Sequence, residues 1–457
     1  MATFPESVDL TGNSVDIMNY IRQGASEVYK NSIPLAEPTT QSIREIGAII
    51  MGTDALRNEF LTNLLDRISA VMITSKVYDN PWAFFKKGLL DFGEVVEEIF
   101  VELAKPFNYD PTDVVNTFAK REIPDVRTAF YVRNYKKYYK QTIENENLRS
   151  AFLSWNGISD LIAKIVESMY KSANYDEFQV MKYMLANWIL DGKIAVVNLA
   201  NKSVEDSAVM IKKVSGDMTF LSPDYNYAGV HTSTDYEDMY IISNTQFSAE
   251  MGVKVLAVSF HMEESKFMGH QVLVDGFGKL DLPRLRELLG SNPGYRELTS
   301  DELALLNQVS CVAVDKNFFM IFDNLSNFTE NYFGEGMYWN YCYHVWKTFS
   351  ISPFAQAVVF SSGAAPSVTS VSVTPTKANA VTGTISKIQL TANVVTVGFA
   401  PTDVTWEVET AGNVTVDNTG MVTVLQNAAA KAYTVTAKSV YDKTKKGSCV
   451  ITVSNPA

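Results

Sequence analysis

The sequence predicts an α+β fold in which a mixed helix-and-strand part is followed by an all-β part. Three observations lead to this prediction. The longest helix signal in the chain covers residues 148–191, and strand signals lie on both sides of it. After residues 361–367, Val, Thr and Ala dominate the sequence, and helical periodicity disappears.

The helix signal at 148–191 consists of apolar residues at three- and four-residue spacing, which places them on one helix face. The pattern weakens at residues 172–174 and then resumes. Asp176 and Glu177 suit the first turn of the second segment, where the helix dipole favours negative charge. Gly192 is a suitable stop. Unbroken, the element would be roughly 60 Å long, which suits a protein that must span a distance.

Composition limits the possible function classes. The chain has 457 residues, of which 46% are hydrophobic and 20% charged, enough for two or three folded domains. The net charge of −12 argues against a protein that wraps nucleic acid, although it allows a container that holds nucleic acid without gripping it. Cys311, Cys342 and Cys449 lack metal or redox spacing, which indicates idle thiols in a reducing compartment. Neither a signal peptide nor a membrane span is predicted.

The N-terminal region, residues 1–65, is predicted to be an arm followed by a short helix. Proline and glycine interrupt it too often for one compact unit. The better helix candidate is 54–68, and the stretch 24–40 is predicted to be extended.

Residues 69–143 are predicted to form strands, the first beginning at Val71, Ile73 and Val77. Lys86-Lys87-Gly88 resembles a hairpin tip, and 95–103 and 129–139 are further strands. The last stretch mixes aromatic and basic residues: Phe130, Tyr131, Arg133, Tyr135, Lys136, Lys137, Tyr138, Tyr139 and Lys140. Either nucleic-acid stacking or an exposed ribbon packed on a neighbouring subunit would explain this mixture. The acidic chain favours the ribbon.

The region after the long helix, residues 193–310, is predicted to be α/β. Strands are expected at 194–199, 239–243, 253–260 and 271–274, and helices at 281–289 and 299–306. In the second helix, Thr299 and Glu302 are spaced for a capping box.

Two strands are then expected around Asp315-Lys316-Asn317, and the aromatic stretch 337–360 should lie beside the long helix. Residues 361–367 form a linker. About seven short strands follow, the pattern of an immunoglobulin-like sandwich with Trp406 in its core. The lone Cys449 rules out the usual inter-sheet disulfide within this module.

No catalytic, cofactor-binding or metal-binding residue is assigned. The four histidines, His231, His261, His270 and His344, lack ligand spacing. Asp275-Gly276-Phe277-Gly278 begins like a dinucleotide-binding loop, but Asp281 stands where the third glycine would be, so a tight turn after a strand is preferred.

Glu94, Glu97 and Glu98 form an acidic cluster, and paired carboxylates serve glycoside hydrolysis. On a strand, however, Glu97 and Glu98 point to opposite faces and cannot meet one substrate. An inter-subunit salt bridge or a solvated edge is the preferred role.

An ordered set of motifs resembles the major capsid proteins of small short-tailed phages of the phi-29 type. The matching stretches are Phe85-Lys86-Lys87-Gly88, Glu97-Glu98-Ile99, Arg121-Glu122-Ile123-Pro124-Asp125-Val126-Arg127-Thr128, Gln141-Thr142-Ile143, Ala151-Phe152-Leu153-Ser154-Trp155, Val274-Asp275-Gly276-Phe277, Phe322-Asp323-Asn324-Leu325, Tyr338-Trp339-Asn340-Tyr341 and Val345-Trp346. They cover most of residues 10–360. No single motif is specific, but the ordered set is.

The resemblance implies the Hong Kong 97-type capsid fold and its parts. These would be an arm (1–65), an extended loop (69–143), a spine helix (148–191), an axial domain (195–310), a peripheral return (311–360), a linker (361–367) and a bacterial Ig-like group 2 domain (368–457). Some relatives in this fold cross-link their subunits through Lys and Asn, but no such pair is predicted here.

The resemblance also implies a function without catalysis or cofactors. The chain would self-assemble as pentamers and hexamers into an icosahedral or prolate shell around double-stranded DNA, with a scaffolding protein and a portal. Assembly would occur in the host cytoplasm. The Ig-like module would decorate the virion, with weak host-surface or glycan contact. The net charge favours an acidic lumen that keeps packaged DNA mobile.

Two other function classes remain open on the sequence alone. A bacterial surface adhesin would account for the Ig-like module, but it requires a secretion signal. A polysaccharide-active enzyme with an appended binding module requires a convergent carboxylate pair, which the sequence does not offer.

Overall fold

The computed structural model describes residues 14–72, 79–90, 95–107, 112, 122–153, 157–251, 270–336, 338–409 and 413–455. The helices are Ser14–Gly24 (α1), Glu27–Ser32 (α2), Thr40–Gly52 (α3), Asp54–Met72 (α4), Asn145–Ala151 (α5), Gly157–Leu190 (α6), Val204–Asp217 (α7), Thr245–Met251 (α8), Leu282–Leu289 (α9) and Ser300–Leu306 (α10). Short 3-10 turns occupy Ala83–Phe85 and Tyr236–Asp238.

The strands of the first 361 residues are Lys86–Leu89 (β1), Val96–Val101 (β2), Val126–Tyr131 (β3), Tyr135–Glu144 (β4), Ala195–Asn198 (β5), Met239–Asn244 (β6), His270–Val274 (β7), Val309–Asp315 (β8), Phe319–Phe333 (β9), Tyr338–Ile351 (β10) and Ala357–Ser361 (β11). They form a four-stranded sheet in the order β1-β9-β10-β4 and a five-stranded sheet in the order β5-β11-β8-β6-β7. β2 and β3 pair only with each other among the described strands.

The described part of the N-terminal region is helical and packed, which corrects the prediction of an arm. Ser26 caps α2, and Thr39 caps α3 by accepting the Ser42 N–H at 3.2 Å. Tyr29, in the stretch predicted to be extended, is 1% exposed within the main core. The prolines and glycines mark boundaries between short helices and do not prevent order.

Helix α4 confirms the prediction at 54–68 and extends it. Leu56, Phe60, Leu61 and Leu64 are buried in the main core, and burying side chains of this size contributes about 1.5–3 kcal/mol each. Val71 lies in this helix, so the strand predicted there is wrong. Ile73 and Val77 lie outside the described residues.

The long helix exists, but its interruption was predicted in the wrong place. α6 runs without a break through residues 172–174, and its 34 residues span about 50 Å. The chain leaves helical structure earlier, after Ala151, where α5 ends. Gly192 ends α6 as predicted, with φ of +66° and a Lys193 N–H to Trp188 C=O hydrogen bond of 3.0 Å.

The four-stranded sheet lies against α6 and confirms the expected position of the aromatic return stretch. Tyr343 of β10 stacks on Tyr170 of α6 with ring centroids 4.8 Å apart. Residues 86–88 are not a hairpin tip, because β1 pairs in parallel with β9, and Gly88 lies at an irregularity with φ of +110°. The predicted strand 129–139 is two strands, β3 and β4, separated by residues 132–134.

The five-stranded sheet confirms most predictions for residues 193–310. β5, β6 and β7 lie at the predicted strands, whereas 253–260 is outside the described residues. The Thr299 capping box on α10 is formed, with the Thr299 N–H donating to Glu302 at 2.8 Å. Helix α7 was not predicted. β8 and β9 flank the predicted turn but belong to different sheets.

A second core lies beyond residue 361. Its strands are Ser367–Thr374 (β12), Lys377–Val381 (β13), Ser386–Gln389 (β14), Thr391–Val397 (β15), Val404–Val408 (β16), Val414–Val416 (β17), Met421–Val424 (β18), Ala432–Ser439 (β19) and Lys446–Ser454 (β20). Val435, Cys449 and Ile451 are fully buried at its centre, and Trp406 packs against them while partly exposed. We call β12–β20 the module.

Among the described helices, none combines the length and apolar character that a membrane crossing requires.

Candidate assembly surfaces

The two-stranded ribbon β2–β3 has two chemically different faces. The strands are antiparallel, in a register that pairs Val96 with Tyr131 and Val101 with Val126. Because side chains alternate along a strand, Glu98 is half-buried against the body while Glu97 is exposed. This confirms that Glu97 and Glu98 point to opposite sides. Glu94 lies outside the described residues.

The inner face of the ribbon is attached to the segment between β10 and β11. The Ser352 hydroxyl donates to Glu98 at 2.8 and 3.0 Å, and the Tyr131 hydroxyl donates to the same carboxylate. Phe100 stacks on Phe354 with centroids 5.7 Å apart. Glu98 therefore accepts hydrogen bonds within its own chain, whereas an inter-subunit salt bridge or a solvated edge stays a prediction for the exposed Glu97.

Two further contacts hold the end of the ribbon at which Val101 pairs with Val126. Glu102 Oε1 lies 2.6 Å from His231 Nδ1, and the Arg127 guanidinium donates to the Ala228 carbonyl. Both partners lie in the segment that follows α7. The ribbon is thus fixed to the body along its inner face from Glu98 to Glu102.

The outer face of the ribbon is exposed and carries large apolar side chains beside Glu97 and Thr128. Ile99, Val101 and Phe130, which we call the ribbon patch, are 58%, 57% and 63% exposed. Other large apolar side chains exposed on the same segments are Val95, Leu103, Phe107, Ile123, Val126 and Val132. Contiguous exposed apolar patches mark interaction sites. The ribbon patch is therefore a candidate surface for contact with another copy of the chain.

Buried charges attach α6 to the four-stranded sheet. Glu177 on α6 is 3% exposed and binds the ammonium group of Lys347 on β10, itself 8% exposed. Lys347 Nζ also lies 2.9 Å from Asp323 on β9, and Lys86 on β1 lies 2.6 Å from Asp323 and 3.3 Å from Glu177. The two ammonium groups and two carboxylates compensate one another, so the helix is held to three strands at one point.

Sequence reasoning missed this charge cluster. Asp176 and Glu177 were assigned to the first turn of a helix, but both are buried in the middle of α6. Two adjacent carboxylates inside a long apolar pattern were the available signal, because buried carboxylates are paired with a cation.

A second set of contacts joins α6 to β4 and α9. Asp176 accepts from Arg284 Nε and Nη2, both at 2.9 Å, and from the Tyr139 hydroxyl at 2.8 Å. Lys182, one turn and a half further on, donates to Asp275 and to the Lys279 carbonyl at 2.6 Å each. α6 therefore positions both the four-stranded sheet and the segment from β7 to α9.

The charge cluster makes the stability of the fold depend on pH in the acid range. Burial opposes ionisation of Asp323, but Lys347 and Lys86 outweigh it and hold the pKa of this carboxyl below its ordinary value. Its stabilising contribution is complete above the unfolded-state pKa of about 3.9 and is lost as pH falls through the folded-state pKa. The pKa of Lys347 is shifted in the opposite direction. Burial lowers its pKa, but Glu177 and Asp323 outweigh burial and raise it, so its contribution is lost only at strongly alkaline pH.

We expect the free energy of unfolding of the single chain to fall between pH 5 and pH 3. Urea unfolding followed by tryptophan fluorescence at both pH values measures this loss. In Asp323→Asn the loss should be smaller, because one titrating carboxyl is removed. An equal loss in the variant and the parent would contradict the assignment to Asp323.

Because side chains alternate along a strand, the basic and aromatic residues of β3 and β4 point to two different sides. Tyr131 and Tyr135 are buried, and Tyr139 bonds to Asp176 on the side that faces α6. Phe130 belongs to the ribbon patch. The exposed residues Lys136, Tyr138 and Lys140 lie on the opposite side of the four-stranded sheet.

The described histidines occupy separate places, and no three described His, Cys, Asp or Glu residues converge as a metal site. His231 contacts Glu102, His270 stacks on Tyr240, and Nε2 of His344 lies 2.8 Å from the Thr329 hydroxyl. His261 lies outside the described residues.

The Asp275-Gly276-Phe277-Gly278 segment is a tight turn after β7, as preferred from the sequence. Gly276 has φ of +152°, Phe277 is buried, and the Lys279 N–H donates to the Gly276 carbonyl at 3.3 Å. A Cβ on Gly278 would lie 2.5 Å from the Leu303 carbonyl oxygen, so the glycine allows close packing against α10.

The module contacts the body at the end of α6. Phe399, between β15 and β16, is 2% exposed and belongs to the main core, not to the core of the module. A Cβ on Gly192 would lie 2.4 Å from the Pro401 Cα, so only glycine permits this approach. Ser361, in the predicted linker, is a buried residue of β11, and the Asn198 side chain donates to the Gly363 carbonyl at 2.7 Å.

The chain is similar to known proteins in both its sequence and its structure. A family model described as Phi29-like phage major capsid protein matches residues 18–361. Among solved structures, the capsid structure of Staphylococcus phage Andhra is similar over 64% of this chain and 86% of that chain, at 15% identity and a TM-score of 0.49.

Two curated relatives extend the match beyond residue 361. The major capsid protein of Bacillus phage B103 is 34% identical over 91% of this chain and 87% of its own length. That of Bacillus phage PZA is 34% identical over 87% of this chain and 83% of its own length. The similarity therefore covers nearly the whole chain.

Proposed function

Because this chain belongs to the Phi29-like phage major capsid protein family, we propose that its subunits join through the ribbon patch in a shell of the Hong Kong 97 type. The chain is a major capsid protein, a component of the virion that assembles with many copies of itself. The single observation that carries this conclusion is the 34% identity to a major capsid protein over 91% of the chain.

Support for the Hong Kong 97-type arrangement comes from the long α6, the ribbon and the two sheets. In this proposal, α6 is the spine helix and β2–β3 belongs to the extended loop. The five-stranded sheet is the centre of the axial domain, with the peripheral return completed by β9 and β10. The N-terminal helices α1 to α4 would pack beside the spine, where the sequence predicted an arm.

Support for a decorating domain comes from the core that the module has of its own, although Phe399 of the module lies in the main core. We assign residues 368–457 to a bacterial Ig-like group 2 domain on the outer surface. The predicted linker 361–367 is shorter in the structure, because Ser361 belongs to β11 and Ser367 to β12. Weak contact with a host surface or glycan is part of this proposal. Assembly in the host cytoplasm with a scaffolding protein and a portal, as pentamers and hexamers, also belongs to it, as does the absence of catalysis. The adhesin hypothesis finds no support among the relatives.

Purification of the full chain tests the proposal directly. Negative-stain microscopy and sedimentation should show closed particles or rings, because the ribbon patch needs a partner to bury it. A stable monomer at high concentration with affinity for glycans would contradict a shell protein and favour the other function classes.

Truncation after Ser361 should leave particle formation largely intact, because the main core keeps all its members except Phe399. We expect a lower melting temperature, since the site of Phe399 becomes exposed, and particles of normal diameter by microscopy. Phe399→Ala in the full chain is the matched variant and should reproduce the lower melting temperature. Loss of all particles on truncation would show that the module takes part in assembly.

A further inference from the structure

A cleft of about 390 Å³ lies where the module meets the body. Small-molecule sites in proteins commonly measure about 300–1,000 Å³, so this cleft has room for a small ligand. Both parts of the chain line it, and neither part forms it alone. Its polar and aromatic lining includes Lys193, Asp224 and Tyr227 from the body and Asp403 and Tyr441 from the module.

Two tyrosine rings in this cleft are accessible to a ligand. Tyr227, in the segment after α7, is 45% exposed, and Tyr441, in the turn between β19 and β20, is 50% exposed. The Tyr227 ring packs edge-on against Trp188 with centroids 5.7 Å apart. The Tyr441 hydroxyl donates to the Pro366 carbonyl at 3.2 Å. Because these contacts hold both rings before a ligand arrives, binding would cost little conformational entropy.

The charged groups of the cleft leave it acidic. The ammonium group of Lys193 is compensated by Asp191, whose carboxylate lies 3.1 Å away. Among the described residues, the Asp403 carboxylate accepts one long hydrogen bond, from the Tyr227 hydroxyl at 3.4 Å, and Asp224 is exposed. An ionised carboxylate accepts about four hydrogen bonds, so both have acceptor sites left for hydroxyl donors. An anionic ligand would be repelled instead.

We propose that this cleft binds a neutral sugar, with a pyranose face against a tyrosine ring and with sugar hydroxyl groups donating to Asp403 and Asp224. The inference rests on the proposed function and deepens it, because it names the chemical class of the glycan and the residues that hold it. A pyranose ring has C–H faces and a rim of hydroxyl groups, which match accessible aromatic rings beside carboxylates. A protein partner would need a much larger surface, since stable interfaces bury about 800 Å² on each side.

The proposed site requires the module to stay docked on the body. Phe399 in the main core and the close approach of Gly192 to Pro401 hold the two parts together at this point. The body supplies one tyrosine ring and one carboxylate to the cleft, and the module supplies the other ring and the other carboxylate. Sugar binding would therefore be a property of the intact chain, not of the Ig-like fold by itself.

Saturation-transfer-difference NMR on the full-length protein tests the proposal with four neutral disaccharides: maltose, lactose, cellobiose and N,N′-diacetylchitobiose. At least one of them should receive saturation. In Tyr441→Ala, the dissociation constant of that sugar should rise by about tenfold, because one aromatic contact is lost. Tyr236→Ala removes a body tyrosine of similar exposure, 46%, and should leave the dissociation constant unchanged. Asp403→Asn should weaken binding while the melting temperature stays that of the parent.

Three results would overturn the proposal. One is the absence of saturation transfer to all four sugars, and another is a dissociation constant that responds equally, or not at all, to the two tyrosine substitutions. The third is tighter binding of glucuronic acid, an anionic sugar, than of any neutral sugar, which would contradict the acidic character of the cleft. Particle formation by the parent chain is measured separately by sedimentation, so failure of the shell function is distinguishable from failure of sugar binding.

Discussion

Replacing Glu177 by leucine should lower the free energy of unfolding of the subunit by about 3 kcal/mol, because it removes one of the two carboxylates that compensate the buried ammonium group of Lys347. Lys347 would retain only Asp323, which it shares with Lys86. The contacts that are lost lie where α6 meets β1, β9 and β10. Urea unfolding of the unassembled subunit at neutral pH measures it.

Two further variants test whether the loss of stability comes from the charge cluster. Glu167→Gln removes a carboxylate from an exposed position on the same helix and should change the free energy of unfolding by less than about 0.5 kcal/mol. Glu177→Leu combined with Lys347→Met should recover much of the loss, since Lys86 and Asp323 remain paired at 2.6 Å. If the single Glu177→Leu variant were as stable as Glu167→Gln, the charge cluster would not hold the helix.

Placing a charge on the ribbon patch should abolish particles while leaving the subunit folded. Ile99→Asp puts a carboxylate at a position that is 58% exposed in the single chain. Burying that carboxylate against another subunit without a cation costs several kcal/mol per contact. Because every subunit carries the substitution, the penalty recurs throughout the shell. Sedimentation and microscopy measure particle formation, and thermal unfolding measures subunit stability.

The matched control is Ile385→Asp, which makes the same substitution at a 62% exposed position of the module. It should leave both particles and melting temperature unchanged. If Ile99→Asp formed normal particles, the ribbon patch would not be part of the assembly surface. A large drop in the melting temperature of that variant would show instead that Ile99 stabilises the single chain.

The sequence predicted features that depend on near neighbours along the chain. The Thr299 cap is set by a residue three positions away, and the division of Glu97 from Glu98 follows from strand alternation. The fold class and the long helix were likewise visible in local periodicity, although α6 runs straight through the weaker pattern at 172–174.

The position of the aromatic stretch 337–360 beside α6 was predicted, but several other features that depend on distant residues were not. Lys86-Lys87-Gly88 has the composition of a turn, but its conformation is decided by β9, a strand far along the chain. The 24–40 stretch contains two prolines, yet it forms helix α2, which Ser26 caps and in which Tyr29 is buried. The partners of Glu177 come from β1 and β10, and no local pattern places them together.

The position of Phe399 in the main core has a consequence for the shell as a whole. A module that inserts a ring into the body keeps one direction relative to α6, whereas a module on a free tether would sample many directions. In the proposed shell, the modules would therefore form a regular lattice, with spacings set by the subunits that carry them. A surface that presents the proposed glycan at matching intervals would bind such a lattice with avidity, even where one module alone binds the glycan too weakly to measure.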